Sequence, residues 1–336
     1  MNFEGHTDWV SGLSVLDDGS LLSWSRDGTL RRWSSDGHEL TRFEGHMSWV
    51  NGVLCLNDGS LLSWSGDKTL RRWSLDGRTI ARFEGHRELV NGALVLDDDS
   101  LLSWSWDGTL RRWSHDGHEL AHFKGHTNWV NGALVLYDGS ILSWSQDNTL
   151  RRWSRDGSEL ACFKGHTNSV HGALVLNDDS LLSWSRDGTL RRWSHDGDEL
   201  TRFEGHTAEV FYALALNDGS LLSWSWDGTL RRWLPDGTEL AVLDTSSADN
   251  SAIAVWAHTQ QLDVNVLFAT WADPSIASSS VAKRNNEVVL YNTTSGETQA
   301  NFINDANITC LAVLDNKIVV AGDQAGRVLF LRHEGI

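Results

Sequence analysis

Proline is nearly missing from this chain: 336 residues contain 2. No glycine- or serine-rich stretch reads as a linker either, so one continuous domain spanning 1–336 is expected, although the length would hold two. Cysteine is scarce. Cys55, Cys162 and Cys310 have no framework spacing, and free thiols in a reducing compartment are the expected state. Cations are outnumbered, 28 Lys and Arg against 45 Asp and Glu, for a net charge of −17. Such a surface repels phosphate, which argues against nucleic-acid and anionic-membrane partners. No apolar run approaches the roughly 18 residues of a membrane span. The start, Met1-Asn2-Phe3-Glu4-Gly5-His6, enters patterned sequence at once and lacks the look of a signal peptide, so a cytoplasmic location is expected. There is no Gly-Lys-Ser/Thr phosphate loop and no Cys-x-x-Cys pair, and no cofactor or metal is expected.

What the chain does have is repetition, together with 19 tryptophans and 30 glycines. Phe3-Glu4-Gly5-His6 returns at Phe43, Phe83, Phe123, Phe163 and Phe203, a period of 40 residues that gives six copies over 3–242. Leu21-Leu22-Ser23-Trp24-Ser25 and Thr29-Leu30-Arg31-Arg32-Trp33 recur almost unchanged. Residues 243–336 lose the period but keep traces of it. Thr270-Trp271-Ala272 is a worn Ser-Trp-Ser, Glu287 to Tyr291 the next strand, and Ile308 to Leu314, Lys317 to Gly322 and Arg327 to Leu331 three more. Two diverged repeats are therefore expected after the six, the first carrying an insertion near 273–285.

Within one copy, four short β-rich runs alternate with turns: Trp9 to Leu16, Leu21 to Ser25, Thr29 to Ser34 and Glu39 to Phe43. Asp-Gly turns between such runs imply an antiparallel meander. A four-stranded sheet of this kind cannot cover both its faces, and radial stacking of sheets solves the problem. The acidic Asp17-Asp18, Asp97-Asp98-Asp99 and Asp178-Asp179 turns read as solvated caps.

Gly5-His6 followed by Ser23, Asp27 and Trp33 resembles the WD40-repeat family, strongly over 3–242 and weakly in the tail. The resemblance implies an all-β WD40-type β-propeller of eight four-stranded blades, or seven if the tail forms one irregular blade, with the N- and C-termini closing the ring in the last blade. It also implies hydrogen-bonded tetrads: His6, Ser23, Asp27 and Trp33; His46, Ser63, Asp67 and Trp73; His86, Ser103, Asp107 and Trp113; His126, Ser143, Asp147 and Trp153; His166, Ser183, Asp187 and Trp193; His206, Ser223, Asp227 and Trp233. Two departures from the family pattern recur in every copy. Trp24 stands where a small residue is usual, and Arg32 where a hydrophobe is usual. Their co-occurrence suggests that Arg32 stacks on Trp24 or its neighbour-repeat equivalent. In the last repeat Leu331 replaces the tetrad Trp and Ala325 the Asp.

Ser, His and Asp together invite a hydrolase reading. A catalytic set is needed once, however, whereas this one recurs six times with a Trp each time, so no enzyme activity is expected. His115, His118 and His122 cluster in the third repeat and read as exposed turn residues, not as a metal site. The positions that vary between near-identical copies are the informative ones. Before the tetrad Asp stand Arg26, Gly66, Trp106, Gln146, Arg186 and Trp226. At the entry to the first strand stand Trp9, Trp49, Leu89, Trp129, Ser169 and Glu209, followed by Ser11, Asn51, Asn91, Asn131, His171 and Phe211. The resemblance places all three positions on the top rim of the propeller. Trp9, Arg26, Trp49, Trp106, Trp129, Gln146, Arg186 and Trp226 are the candidate partner-binding residues. The function expected is a protein-interaction scaffold or sensor module, on its own or within a larger signalling protein, monomeric in isolation, with a protein or peptide partner. A small-molecule or glycan binder using an aromatic channel mouth is the alternative.

Overall fold

A computed structural model describes residues 2–244 and, in the tail, residues 281–284, 287–291, 298–303, 308–314, 318–323, 325 and 327–332. The worn Thr270-Trp271-Ala272 motif lies outside the described residues. The chain divides into two compact units, Met1–Arg82 with Asp249–Ile336, and Phe83–Ala248.

The first repeat shows how each unit is built. After β1 (Asn2–Glu4), strands β2 (Val10–Val15), β3 (Leu21–Ser25), β4 (Leu30–Trp33) and β5 (Glu39–Phe43) form one antiparallel sheet in chain order. The same meander is repeated in the next five copies, giving six four-stranded sheets over 2–244. In the tail, Val281–Arg284, Glu287–Tyr291 and Thr298–Ile303 form a three-stranded sheet. Val281–Arg284 thus puts a strand inside the segment read as an insertion. Ile308–Leu314, Ile318–Asp323 and Arg327–Arg332 form another sheet, whose fourth strand is β1, with Phe3 opposite Val328. Where a tetrad Asp is replaced by Ala325, the fully buried Asp323 accepts from the backbone N–H of Ala325 and of Arg327, each at 2.9 Å, and pairs with the Arg327 guanidinium at 2.8 Å.

The turn between β2 and β3 is held by Leu16 N–H donating to Ser20 O at 2.8 Å, with Gly19 at φ 76°. The conformation is left-handed in the third and fifth repeats too, where Asp99 (φ 61°) and Asp179 (φ 64°) replace glycine and bear its steric cost. Asp18 does more than cap the turn. It accepts from Ser20 N–H at 2.9 Å and from the Ser20 hydroxyl at 2.5 Å, and it pairs with Arg32 of β4. Asp58, Asp98, Asp138, Asp178 and Asp218 pair with their own strand arginines in the same way.

This geometry corrects the expected Arg32–Trp24 stack. The Arg32 guanidinium is drawn to the Asp18 carboxylate and donates to Ser20 Oγ at 2.8 Å, because a charge-assisted bond outweighs a half-exposed cation–π contact. The partner of Trp24 is Gly12, which lies opposite it on β2. A Cβ at Gly12 would stand 2.1 Å from the indole, and Gly52, Gly92, Gly132 and Gly172 are equally close to their tryptophans. The small residue missing from β3 has moved to the adjacent strand. In the sixth repeat Tyr212 takes the glycine's place and meets Trp224 edge-on at 5.6 Å.

Among the described residues, the cores of the six repeats are shared between neighbouring sheets. Leu142, Leu150 and Phe163 of the fourth sheet are buried with Val170, Leu181 and Trp193 of the fifth, and the third and fourth, fifth and sixth, and first and second sheets share cores in the same way. Each repeat therefore depends on its neighbour for burial. Gly92→Ala is expected to force Trp104 aside and cost about 1–3 kcal/mol by overpacking, read as a lower urea midpoint. An unchanged midpoint would remove the Gly–Trp pairing.

Candidate functional site

The first tetrad is built from three places in the chain: the loop after β1, strand β3 with its following turn, and the end of β4. Trp33 Nε1–H can only donate, and it donates to Ser23 Oγ at 2.8 Å. Ser23 Oγ lies 2.7 Å from His6 Nε2, and His6 Nδ1 lies 3.0 Å from Asp27 Oδ2. The serine, having accepted the indole proton, offers its own to Nε2. The ring proton then sits on Nδ1 and is donated to the carboxylate. The structure brings His, Ser, Asp and Trp together with matching bonds in the other five repeats.

Sequence reasoning missed a fifth member. Thr29 donates to Asp27 Oδ1 through its N–H at 2.9 Å and its hydroxyl at 2.7 Å, while Thr7 N–H donates to Oδ2 at 2.9 Å. With His6, each carboxylate oxygen receives two bonds. The signal was available, because a threonine stands two residues after every tetrad Asp. Burial raises the pKa of these aspartates, but the hydrogen bonds from His, Thr and backbone N–H outweigh it and hold all six well below the ordinary value. Burial lowers the pKa of His46, His86, His126, His166 and His206, against the pull of their aspartates.

Gly5 makes room for a neighbouring layer. A Cβ there would lie 2.7 Å from the Arg31 guanidinium and 2.8 Å from the Trp33 ring. Arg31 is buried beneath it and pairs with Glu39.

The variable positions lie beside each other in every sheet. The backbone N–H of the residue before the tetrad Asp donates to the carbonyl at the entry to the first strand: Arg26 to Trp9, Gly66 to Trp49, Trp106 to Leu89, Gln146 to Trp129, Arg186 to Ser169 and Trp226 to Glu209. In the first unit the Arg26 guanidinium stands 4.0 Å over the Trp9 ring and 5.3 Å from that of Trp49. In the second, Trp106 and Trp129 stack at 3.8 Å with planes 2° apart. Arg186 Nε lies 3.3 Å from Glu209, whose other oxygen is 3.2 Å from His171 Nδ1. Trp226 meets Phe211 edge-on at 5.9 Å. Glu209, Phe211 and His171 thus join the candidate residues. Gln146 is half-buried and is tied to this row by its backbone. The third variable position serves structure in the third and fourth repeats: Asn91 donates to Asn131 O at 3.0 Å and Asn131 to Val170 O at 2.7 Å, joining successive first strands.

Among the described residues no group of three or more His, Cys, Asp and Glu is placed to hold a metal. His118 pairs with Asp116 at 3.3 Å, and His122 lies 3.7 Å from Glu119. No helix among the described residues is long and apolar enough to cross a membrane.

The family model described as WD domain, G-beta repeat matches residues 1–34, 37–74, 117–154 and 157–194. These four segments are WD40 repeats, and the third and sixth copies carry the same tetrad geometry. Among solved structures the chain is similar to the computationally designed Ika8 protein, with 22% identity over 99% of this chain and 98% of that one and a TM-score of 0.68. It is also similar to the WD40 beta propeller domain of Doa1, with 22% identity over 99% and 96% and a TM-score of 0.57. These likenesses are of fold, an all-β WD40 propeller type. No curated protein sequence matches the chain.

Two outcomes test the tetrad. Ser143→Ala leaves Trp153 Nε1–H and His126 Nε2 without the hydroxyl that each meets at 2.8 Å, and is expected to cost about 1–3 kcal/mol by urea denaturation. The second is a dependence on pH. The five histidines are lowered on folding from an ordinary value of 6.5, so below that pH the unfolded chain takes up protons that the folded one refuses. Stability is full above about pH 6.5 and declines as pH falls. The depressed aspartates add a second decline below their ordinary 3.8. Urea midpoints that stay flat between about pH 7.5 and about pH 5 would contradict the neutral-histidine network.

Proposed function

We propose that this WD40-repeat chain is a non-catalytic protein-interaction module that binds a protein or peptide partner through the side chains flanking its tetrads. WD40 propellers generally mediate such interactions. The carrying observation is the exposure of large aromatics in that row: Trp226 is 74% exposed, Phe211 46%, Trp49 38% and Trp129 37%. Aromatic and arginine side chains held in place by neighbours are the usual anchors of interfaces, since little entropy is lost on binding. Arg26, Trp106 and Arg186 are held in this way.

The absence of catalysis is part of the proposal. The tetrad serines are fully buried and already hold the indole proton and the histidine, so no substrate carbonyl reaches them. The proposal also takes the fold as a ring of eight blades closed in the last blade, supported by six four-stranded sheets, the three-stranded tail sheet and the sheet that β1 completes. A monomer in the cytoplasm, with a net charge of −17 that disfavours nucleic acid, completes it.

The test is affinity capture with the wild-type chain and with a Trp106→Ala, Trp226→Ala double variant, circular dichroism confirming that both fold. The partner is expected to be lost from the variant, since an interface tryptophan is worth about 2 kcal/mol or more. A partner retained at wild-type levels would overturn the assignment of these residues.

A further inference from the structure

Where repeats are nearly identical, a place where one of them departs from the rest stands out. Leu94, Leu134 and Leu174 each pack into the core between their own sheet and the next. The corresponding residue of the first repeat is Ser14. The leucine has been exchanged to the other face of the strand, as Leu13, where it packs with Val10, Trp33 and Val328. The space the leucine would fill stays open. A cavity of about 400 Å³ lies between the first and second sheets, with Ser14, Leu22, Val53 and Leu75 among its walls. The exposed Asp17 and Asp18 also line it.

A second departure falls on the same cavity. Between the third and fourth sheets, Arg155 sets its guanidinium on Asp97 and within 3.6 Å of Asp98. A further bond to Gly139 O at 3.0 Å holds it there. Two repeats earlier the same three positions are Leu75, Asp17 and Asp18. With leucine in place of arginine, Asp17 has no cation opposite it among the described residues, while Asp18 keeps Arg32. The first boundary thus lacks both the leucine found at this position in the other repeats and the cation that neutralises the same acidic edge between the third and fourth sheets.

We propose that this cavity binds a small organic cation with an aliphatic body. The body occupies the volume left by Ser14 and packs against Leu22 and Leu75, and the guanidinium or ammonium head sits at Asp17 and Asp18 as that of Arg155 sits at Asp97 and Asp98. The volume is in the range of small-molecule sites. Removal of the aliphatic body from water supplies the affinity and the carboxylates fix the orientation. The site is independent of the aromatic row and of the partner proposed for it.

Cys55 lines the cavity and is an exposed residue, so alkylation reports occupancy. The probe is octylguanidinium added to the full chain. Iodoacetamide labelling of Cys55 is measured by mass spectrometry, with Cys162, which is not in the cavity wall, as the internal reference. Labelling of Cys55 is expected to slow about tenfold when the probe stands at about ten times its dissociation constant, and that of Cys162 to stay the same. Ser14→Leu, which installs the residue that the other five repeats carry there, and Leu75→Arg, which installs the residue of the fourth repeat, are expected to abolish the protection. Octanoate, with a similar body and the opposite charge, is expected to give none. Absence of protection by octylguanidinium, equal protection by octanoate, or protection that survives in both variants would each overturn the proposal.

Discussion

A buried carboxylate with all its acceptor sites filled is the constraint on which each of the six repeats depends. Asp27 receives bonds from His6, Thr7 and Thr29, and so joins the loop before the first strand to the turn after the second. A charge taken from water without such donors would be destabilising by several kcal/mol; with them it orients the imidazole, which fixes the serine, which in turn fixes the indole at the end of the third strand. The chain of bonds runs from the carboxylate to a buried tryptophan. That tryptophan continues into the shared core: Trp73 meets Phe43 of the preceding repeat edge-on at 6.0 Å. A polar network inside one repeat thereby sets the position of the apolar surface that the adjoining repeat must cover.

The legible part of this arrangement was the part carried by exact repetition. Strand order, the Asp-Gly turns and the identity of His6, Ser23, Asp27 and Trp33 could be read because period and residue type pointed to one answer. What could not be read was which of two adjacent strands would accommodate a bulky side chain. Trp24 and Arg32 occur together in every copy, and proximity on neighbouring strands suggested that they touch. Gly12 recurs in five of the six copies, but a missing side chain leaves no chemical signature until the ring lying over it is seen. The choice of Asp18 by Arg32 was hidden for a related reason, since turn aspartates are ordinarily solvated and only the register of β3 and β4 brings this one within reach.

The candidate site was legible as a set of positions but not as a set of contacts. Listing the residues before each tetrad Asp found Arg26, Trp106, Arg186 and Trp226. It did not reveal that several of them lean on the entry residue of the following repeat, as Arg26 does on Trp49, Trp106 on Trp129 and Arg186 on Glu209. A 40-residue period obscures a contact at a separation of 23, because such a contact crosses from one copy to the next.

Those crossings bear on how the chain finds its order. The apolar surfaces buried between successive sheets are made of the same leucines, valines, phenylalanines and tryptophans, so burial alone rewards a sheet for docking beside almost any other. Discrimination between a correct neighbour and a wrong one rests on the few side chains that differ. A cation over an aromatic ring, two stacked indoles and an ion pair cannot exchange partners without loss. They act as addresses written onto otherwise interchangeable parts, and they favour sequential assembly over the swapped pairings to which uniform repeats are prone.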